Sequence, residues 1–164
     1  MVRTGICLSL LAFAAVVPAR AALPRQGVFV PGRSLGGVRL GETGSAVGSS
    51  LGREHGVCRG CATTTWYFTY RPFDQHGLGV ELSHGRVSGV YTLWRPSGWH
   101  EPDGLGLGAF EGQVTASVGP LVVVDCTGYH VLVSDMRSTR SAYYIVNGRL
   151  WAFGLFDRGA DPCR

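Results

Sequence analysis

Polar and hydrophobic residues alternate along several short stretches of the chain, which is the pattern of pleated β-strands. In residues 64–70, Trp66, Phe68 and Tyr70 occupy every second position and therefore share one face of the predicted strand. Six segments are predicted as strands: 64–70, 78–83, 86–94, 129–134, 141–146 and 149–156. We expect these strands to pair in antiparallel order, because short connections join them.

Two dipeptides between the predicted strands are typical of tight turns. His84-Gly85 separates one strand pair and Asn147-Gly148 separates another. Asparagine and glycine tolerate a positive φ, which a two-residue hairpin turn requires, so Asn147-Gly148 is the stronger signal. The sequence therefore predicts two β-hairpins.

A short helix is predicted in each half of the chain. Val47 and Leu51 are four residues apart, as are Val114 and Val118, and a glycine follows each pair. This spacing places both side chains on one helix face, and the glycine marks the C-terminus. Glycines at 44 and 48 weaken the first helix by about 1 kcal/mol each relative to alanine, so packing has to stabilise it.

The two halves also resemble each other in sequence. Residues 37–52 match residues 104–119 at six of sixteen positions, an offset of 67, and Gly85-Arg86-Val87 matches Gly148-Arg149-Leu150 at an offset of 63. Two matches in the same order indicate an internal repeat. The expected fold class is α+β, with two tandem copies of a unit that contains a short helix and a three-stranded antiparallel sheet.

The repeat suggests how the chain is divided. The predicted parts are a signal peptide (1–21), an N-terminal segment (22–36), a first repeat unit (37–94), a linker (95–103) and a second repeat unit (104–164). The linker is expected to be irregular because it is mostly polar and contains two prolines.

The first 21 residues have the features of a secretory signal. Arg3 precedes an apolar run from Ile6 to Val17, and Ala19-Arg20-Ala21 is a small-residue cleavage pattern. The run of 12 residues is shorter than the roughly 20 that a membrane-spanning helix needs. The sequence therefore predicts an exported protein that begins near Ala22 and has no stable membrane anchor.

The charge distribution gives little support for nucleic-acid binding. All 15 basic residues are arginine, and loss of Arg3 and Arg20 with the leader leaves 13 against 11 acidic residues. The arginines are scattered singly, whereas a nucleic-acid surface needs a basic stripe or patch. No nucleic-acid partner is expected.

Four cysteines remain after the leader: Cys58, Cys61, Cys126 and Cys163. An even number in an exported chain favours disulfides. Three pairings are possible, and we favour Cys58 with Cys61 and Cys126 with Cys163, because each bridge then stays within one predicted unit. A thiol-redox use of Cys58 and Cys61 is the alternative, although such pairs usually open a helix.

Three short motifs suggest chemistry but lack the structural context that it needs. Residues 32–36 fit a nucleophile elbow without the helix that should follow, and residues 104–109 fit a dinucleotide fingerprint without the preceding strand. His55, Cys58 and Cys61 have metal-ligand spacing but no evident fourth ligand. We therefore predict no catalytic, cofactor or metal residues.

Aromatic residues are the remaining candidates for function. Most lie on predicted strands, and adjacent pairs such as Tyr67-Phe68 imply that both sheet faces carry rings. One face is expected to remain partly open as a surface for contact with another protein, since aromatic side chains anchor such interfaces. The candidate contact residues are Trp66, Tyr70, Tyr91, Trp94, Trp99, Tyr143 and Trp151.

The opening Gly-Xaa-Xaa-Leu-Gly of residues 37–41, a short helix that ends at Leu51-Gly52 and a strand that begins near Trp66 resemble the BamE (SmpA/OmlA) family of bacterial envelope proteins. Two such units in tandem resemble the secreted β-lactamase inhibitor proteins. The resemblance implies helices on an antiparallel sheet and a non-enzymatic role. Position 22 is alanine, so the lipid anchor of BamE is not expected, and no inhibitory residues can be assigned.

The predicted function is therefore a secreted, non-enzymatic module that binds or inhibits another protein. A small exported enzyme or thiol-redox protein that uses Cys58 and Cys61 is the alternative.

Overall fold

Strands form most of the part of the chain that the structure, a computed structural model, describes: residues 23–24, 26–72 and 74–164. The predicted signal peptide (1–21) lies outside these residues. The strands are β1 (Gly27–Val30), β2 (Ser34–Leu35), β3 (Gly56–Val57), β4 (Thr64–Thr69), β5 (Gly77–Ser83), β6 (Arg86–Leu93), β7 (Trp99–His100), β8 (Val122–Cys126), β9 (Tyr129–Asp135), β10 (Thr139–Val146) and β11 (Arg149–Asp157). The helices are α1 (Gly44–Leu51) and α2 (Glu111–Val118).

One antiparallel sheet of eight strands dominates the fold. Its strand order is β3-β4-β5-β6-β11-β10-β9-β8, so β6 and β11 pair at its centre. A second sheet has the order β2-β1-β7. Each half of the large sheet is a meander of four strands, and the β6–β11 pairing makes the two meanders continuous.

Alternation along the central strands gives the large sheet two hydrophobic faces. In β10, Tyr143 and Ile145 belong to one buried cluster, while Ala142 and Tyr144 belong to another. Successive side chains of a strand point to opposite faces, so the clusters lie on opposite sides of the sheet. The helices and the small sheet cover the first face, hereafter the helix face; the second is hereafter the open face.

Both helices are attached to the sheet in the same way. Val47 and Leu51 of α1 and Val114 of α2 are buried in the cluster of the helix face. Before α1 the amide of Gly41 donates to the carbonyl of Val87 (2.7 Å), and before α2 the amide of Gly108 donates to that of Leu150 (2.7 Å). Packing and these backbone bonds therefore stabilise two helices that are too short to be stable alone.

The local predictions from the sequence agree with these elements. All six predicted strands are present, with ends that differ by at most two residues. Both predicted turns are confirmed: His84 and Asn147 have a φ of 50°, and the glycine after each also has a positive φ.

The predicted fold class, α+β with two tandem copies of a helix plus a three-stranded sheet, is wrong. The fold is mainly β, because each helix has only eight residues and each half of the large sheet has four strands. β3 has only two residues and therefore shows no periodicity in the sequence, and β8 begins with three consecutive valines rather than an alternating pattern. The resemblance to tandem BamE-like units therefore fails for the fold.

Two segments outside the predicted repeat units contribute to the core. Phe29 of β1, within segment 22–36, is fully buried, and Trp99 of β7, within segment 95–103, is 1% exposed. β1 and β7 pair in parallel, which brings both segments onto the helix face. The boundaries of the units at 37–94 and 104–164 stay predictions.

Glycines on the open face make room for aromatic rings. A Cβ at Gly154 would lie 2.5 Å from Cε2 of Phe156 and 3.1 Å from Cε2 of Tyr144. A Cβ at Gly79 would lie 2.5 Å from Cζ of Tyr91. These rings therefore lie against the backbone of the sheet, where any larger residue would displace them.

We expect Gly154→Ala to lower the free energy of unfolding by about 1–3 kcal/mol, because the added methyl overpacks the rings of Phe156 and Tyr144. Gly48→Ala is the matched control, since nothing lies within 4 Å of its added Cβ. In a helix interior that change stabilises by about 1 kcal/mol. Urea unfolding followed by circular dichroism measures both; equal stability of Gly154→Ala and the wild type would contradict the close approach.

Candidate functional site

The open face carries a groove with a volume of about 450 Å³. Neighbouring strands place their aromatic side chains on this face because these residues lie in matching positions of the antiparallel ladder. The lining residues are Tyr67, Tyr91, Thr92, Leu93, Trp94, Tyr129, Tyr144, Val146, Trp151, Ala152 and Arg164.

Tyr91 lies at the centre of the groove. It pairs with Gly79 on one side and with Gly154 on the other, and its ring stacks on Phe156 with 6.1 Å between centroids. Burial raises the pKa of the Tyr91 hydroxyl, and the neighbouring Tyr67 raises it further. The hydroxyl therefore remains protonated at physiological pH.

Two tryptophans form the mouth of the groove. Trp94 is 54% exposed, and its ring meets that of Trp151 edge to face, with 6.5 Å between centroids. The guanidinium of Arg95 lies 5.2 Å from the centroid of the Trp151 ring. The side chains at the mouth therefore support one another, although they lie at the surface.

The backbone at this mouth is strained. Trp94 has a φ of 51° and Arg95 a φ of 28°, both in the left-handed region that bulky residues avoid. Such conformations cost about 1–3 kcal/mol each and cluster at functional sites. The strain turns the chain directly after β6 and leaves the indole of Trp94 in solvent rather than in the core.

The C-terminal segment covers the other end of the open face. The disulfide between Cys126 and Cys163 holds it, and the hydroxyl of Tyr144 donates to the carbonyl of Pro162 (2.7 Å). Arg164 then reaches Glu81 through Nε–Oε1 (2.6 Å) and Nη2–Oε2 (3.0 Å). Because this contact is bidentate, Glu81 neutralises the charge of Arg164 within the groove.

The structure places only three of the seven predicted contact residues in the groove. These are Tyr91, Trp94 and Trp151. Trp99 and Tyr143 are buried on the helix face. Their predicted role as surface residues has no geometric support, because neither ring reaches solvent.

Trp66 and Tyr70 also lie away from the groove. The Trp66 ring stacks on His55, with 4.2 Å between centroids, and is half-buried. The hydroxyl of Tyr70 accepts a hydrogen bond from Nε1 of Trp99 (2.9 Å) and donates to the carbonyl of Pro24 (3.1 Å). Both residues therefore stabilise the packing around the helix face.

Sequence reasoning missed three tyrosines of the groove: Tyr67, Tyr129 and Tyr144. The alternation in residues 64–70 already places Tyr67 on the face opposite to Trp66, so a signal was present. The sequence does not show which face of this strand lines the groove, because both faces carry aromatic residues.

A buried acid lies on the helix face. The hydroxyl of Tyr143 donates to Oε1 of Glu101 (2.6 Å), and Glu101 is only 5% exposed. Burial raises the pKa of Glu101, and the charge of Asp103 adds to this, while the Tyr143 hydrogen bond partly opposes it. The pair fixes residues 99–107 on the core.

Both disulfides form in the favoured pairing, so this prediction is confirmed: Cys58 with Cys61 and Cys126 with Cys163. The first lies between β3 and β4, with Sγ of Cys61 3.9 Å from the hydroxyl of Tyr67. Among the described residues, no group of three or more His, Cys, Asp or Glu side chains is arranged to hold a metal ion.

Comparisons with known proteins give one similarity. No protein-family profile and no curated protein sequence match this chain. A similar solved structure is an extracellular protein containing an SCP domain from Bacillus anthracis str. Ames, with a TM-score of 0.50 and 8% sequence identity. The similarity covers 73% of this chain and 44% of that protein, so the chain spans less than half of its length. At this identity the likeness shows the fold alone.

This similarity corrects the predicted family. The resemblance to BamE and to the tandem β-lactamase inhibitor proteins is wrong, since the structural similarity is to the extracellular protein and the fold is an eight-stranded sheet. The glycine-rich motifs behind the resemblance are short and specify local turns rather than a fold.

The findings fit an exported protein. Two disulfides are present, as expected of a chain that folds in an oxidising compartment. Within the part of the chain that the structure describes, neither helix has the length and apolar character that crossing a bilayer requires.

We expect Arg164→Ala to lower the free energy of unfolding by about 3 kcal/mol, because it leaves the carboxylate of Glu81 buried and unpaired. The double variant Glu81→Gln/Arg164→Ala should recover part of this loss, since no charge then remains without a partner. Urea unfolding at pH 7 measures both. Equal stability of the single and double variants would show that the pair does not secure the segment.

The buried Glu101 should make stability depend on pH. A raised folded-state pKa means that the folded protein binds the proton more tightly, so this contribution is present below the ordinary value of 4.5 and is lost as pH rises through the folded pKa. We therefore expect the wild type to lose stability relative to Glu101→Gln as pH increases from about 4 to 8. A stability difference between them that does not change with pH would contradict this assignment.

Proposed function

We propose that the chain is a secreted, non-enzymatic module that binds a segment of another protein in the aromatic groove of the open face. The observation that carries this proposal is the exposure of Trp94. This residue is 54% exposed, its backbone is strained, and its ring contacts the Trp151 ring edge to face. An indole in solvent leaves apolar surface in water, and here the strained backbone adds to that cost. The geometry therefore favours a partner that covers the Trp94 side chain.

The composition of the groove supports a protein partner. Tryptophan, tyrosine and arginine are the residues that contribute most to the binding energy at protein interfaces. The groove combines two tryptophans with four tyrosines, and its floor is rigid because it is the sheet itself. Rigid aromatic side chains lose little conformational entropy on binding, which favours affinity.

The lining also argues against two other uses. It contains no Asp, Glu, Asn or Gln side chain, and the hydroxyl of Thr92 accepts a hydrogen bond from the amide of Phe153 (3.0 Å). Besides Thr92 and the two indoles, the polar side chains of the lining are tyrosines and Arg164, which is already paired with Glu81. A sugar ring bound here would therefore find no carboxylate or amide side chain as a partner for its hydroxyl groups, which disfavours its burial. The lining likewise has no serine, cysteine or histidine for nucleophilic catalysis.

The thiol-redox alternative has weaker support. Cys58 and Cys61 lie in the loop that leads into β4, and α1 ends before them at Leu51. The helix N-terminus that activates the thiols of redox-active Cys-x-x-Cys pairs is therefore not next to them.

A random dodecapeptide library displayed on phage tests the proposed function. Peptides selected on the wild-type protein should bind Trp94→Ala and Trp151→Ala roughly tenfold more weakly, because each change removes a central aromatic anchor. Fluorescence anisotropy with the labelled peptides gives the dissociation constants.

Phe110→Ala is the matched control, since Phe110 is 57% exposed but precedes α2, outside the groove. It should bind the selected peptides as the wild type does. Thermal unfolding of all three variants checks that they remain folded. Peptides whose affinity depends on Phe110 and not on the tryptophans would overturn the proposed site.

A further inference from the structure

A second cavity, of about 330 Å³, opens beside the mouth of the aromatic groove. Its lining residues are Tyr70, Arg71, Asp74, His76, Arg95, Pro96 and Ser97. Arg95 connects the two cavities, because it lines this one while its guanidinium lies on the Trp151 ring of the groove. A ligand that extends from the groove past Trp151 therefore meets this second cavity, hereafter the arginine pocket.

The arginine pocket carries a net positive charge, because its lining holds two arginines and one carboxylate. Arg71 and Arg95 are exposed, and neither forms an ion pair with a carboxylate of the described residues. The one carboxylate in the lining, Asp74, accepts from Nδ1 of His76 (2.8 Å) and from its backbone amide (3.0 Å). Both hydrogen bonds end on Oδ1, so His76 rather than either arginine contacts Asp74, and the single negative charge of Asp74 offsets only one of the two guanidinium charges.

The opposite end of the groove differs in charge. There Glu81 binds the guanidinium of Arg164 in a bidentate contact, so this end is neutral. The two ends of the site therefore differ in charge: one end is neutral, the middle is aromatic and the other end is cationic. Such an arrangement orients an extended ligand and selects its charge.

From this arrangement we infer that the partner segment is acidic and extended, with an aromatic or apolar side chain between Trp94 and Trp151 and one or more carboxylates in the arginine pocket. This inference rests on the proposed function and names the chemistry of its partner. A guanidinium group binds a carboxylate through two parallel hydrogen bonds, and Arg95 is partly immobilised by the Trp151 ring. Because the pocket is open to solvent, its charge should affect specificity and association rate more than total affinity.

Two displayed dodecapeptide libraries test the inference. They are identical except that four fixed positions carry glutamate in one and lysine in the other. The wild-type protein should enrich binders from the glutamate library, and Arg71→Glu/Arg95→Glu should bind those peptides roughly tenfold more weakly and enrich from the lysine library instead. The difference should shrink as salt is raised from about 0.05 to 0.5 M, since salt screens exposed charges.

Arg33→Glu/Arg39→Glu is the matched control, because it makes the same change in net charge at a pair of exposed arginines that line a different cavity. It should keep the preference for glutamate peptides. Thermal unfolding again confirms that each variant is folded.

The remaining outcomes separate this inference from the proposed function. Equal enrichment from both libraries, with affinities that depend on Trp94 but not on Arg71 and Arg95, overturns the acidic partner and leaves the groove as a protein-binding site. Binders from neither library, with binding to an array of oligosaccharides, overturn both. Absence of any binder also counts against both.

Discussion

The pairing of β6 with β11 is the interaction on which the rest of the structure depends. Gly154 opposes Tyr91 and Phe156 opposes Gly89, so each of these aromatic residues faces a glycine of the neighbouring strand. The β6–β11 pairing is hereafter called the seam. The seam joins two four-stranded meanders, each of which would otherwise have an unpaired edge at that side. It also makes the hydrophobic cluster of the helix face continuous across both halves, because that cluster takes residues from each meander.

The same seam creates the groove. Tyr91 and Phe156 can lie flat only because Gly79, Gly89 and Gly154 have no side chains beneath them. On the helix face, two helices and a small sheet cover the strands, whereas on the open face the C-terminal segment is the only described part of the chain that covers them, and it covers them in part. The uncovered part is the aromatic surface that ends in Trp94 and Trp151. Architecture and proposed function therefore share one physical origin, which is close ring packing on a glycine-rich sheet.

Local structure was predictable from this sequence, and pairing between distant strands was not. Alternation located six strands, Asn147-Gly148 located a turn, and the cysteine count together with the predicted unit boundaries located both disulfides. The matched glycines of the two halves, such as Gly41 and Gly108, make corresponding contacts, but this likeness does not reveal how many strands each half has or that they join. In the site, the alternation along residues 64–70 places aromatic rings on both faces of the strand. Only the position of the covering helix shows that Tyr67, and not Trp66, faces the groove.

Native-state hydrogen exchange tests most directly whether one continuous sheet holds the protein together. If the seam unites the halves, amides of β5 and β10, on either side of it, should exchange with the same opening free energy, and that value should equal the global free energy of unfolding. Two clearly different opening free energies, one for each half, would mean that the meanders unfold separately and that the β6–β11 pairing is not the element on which the fold depends.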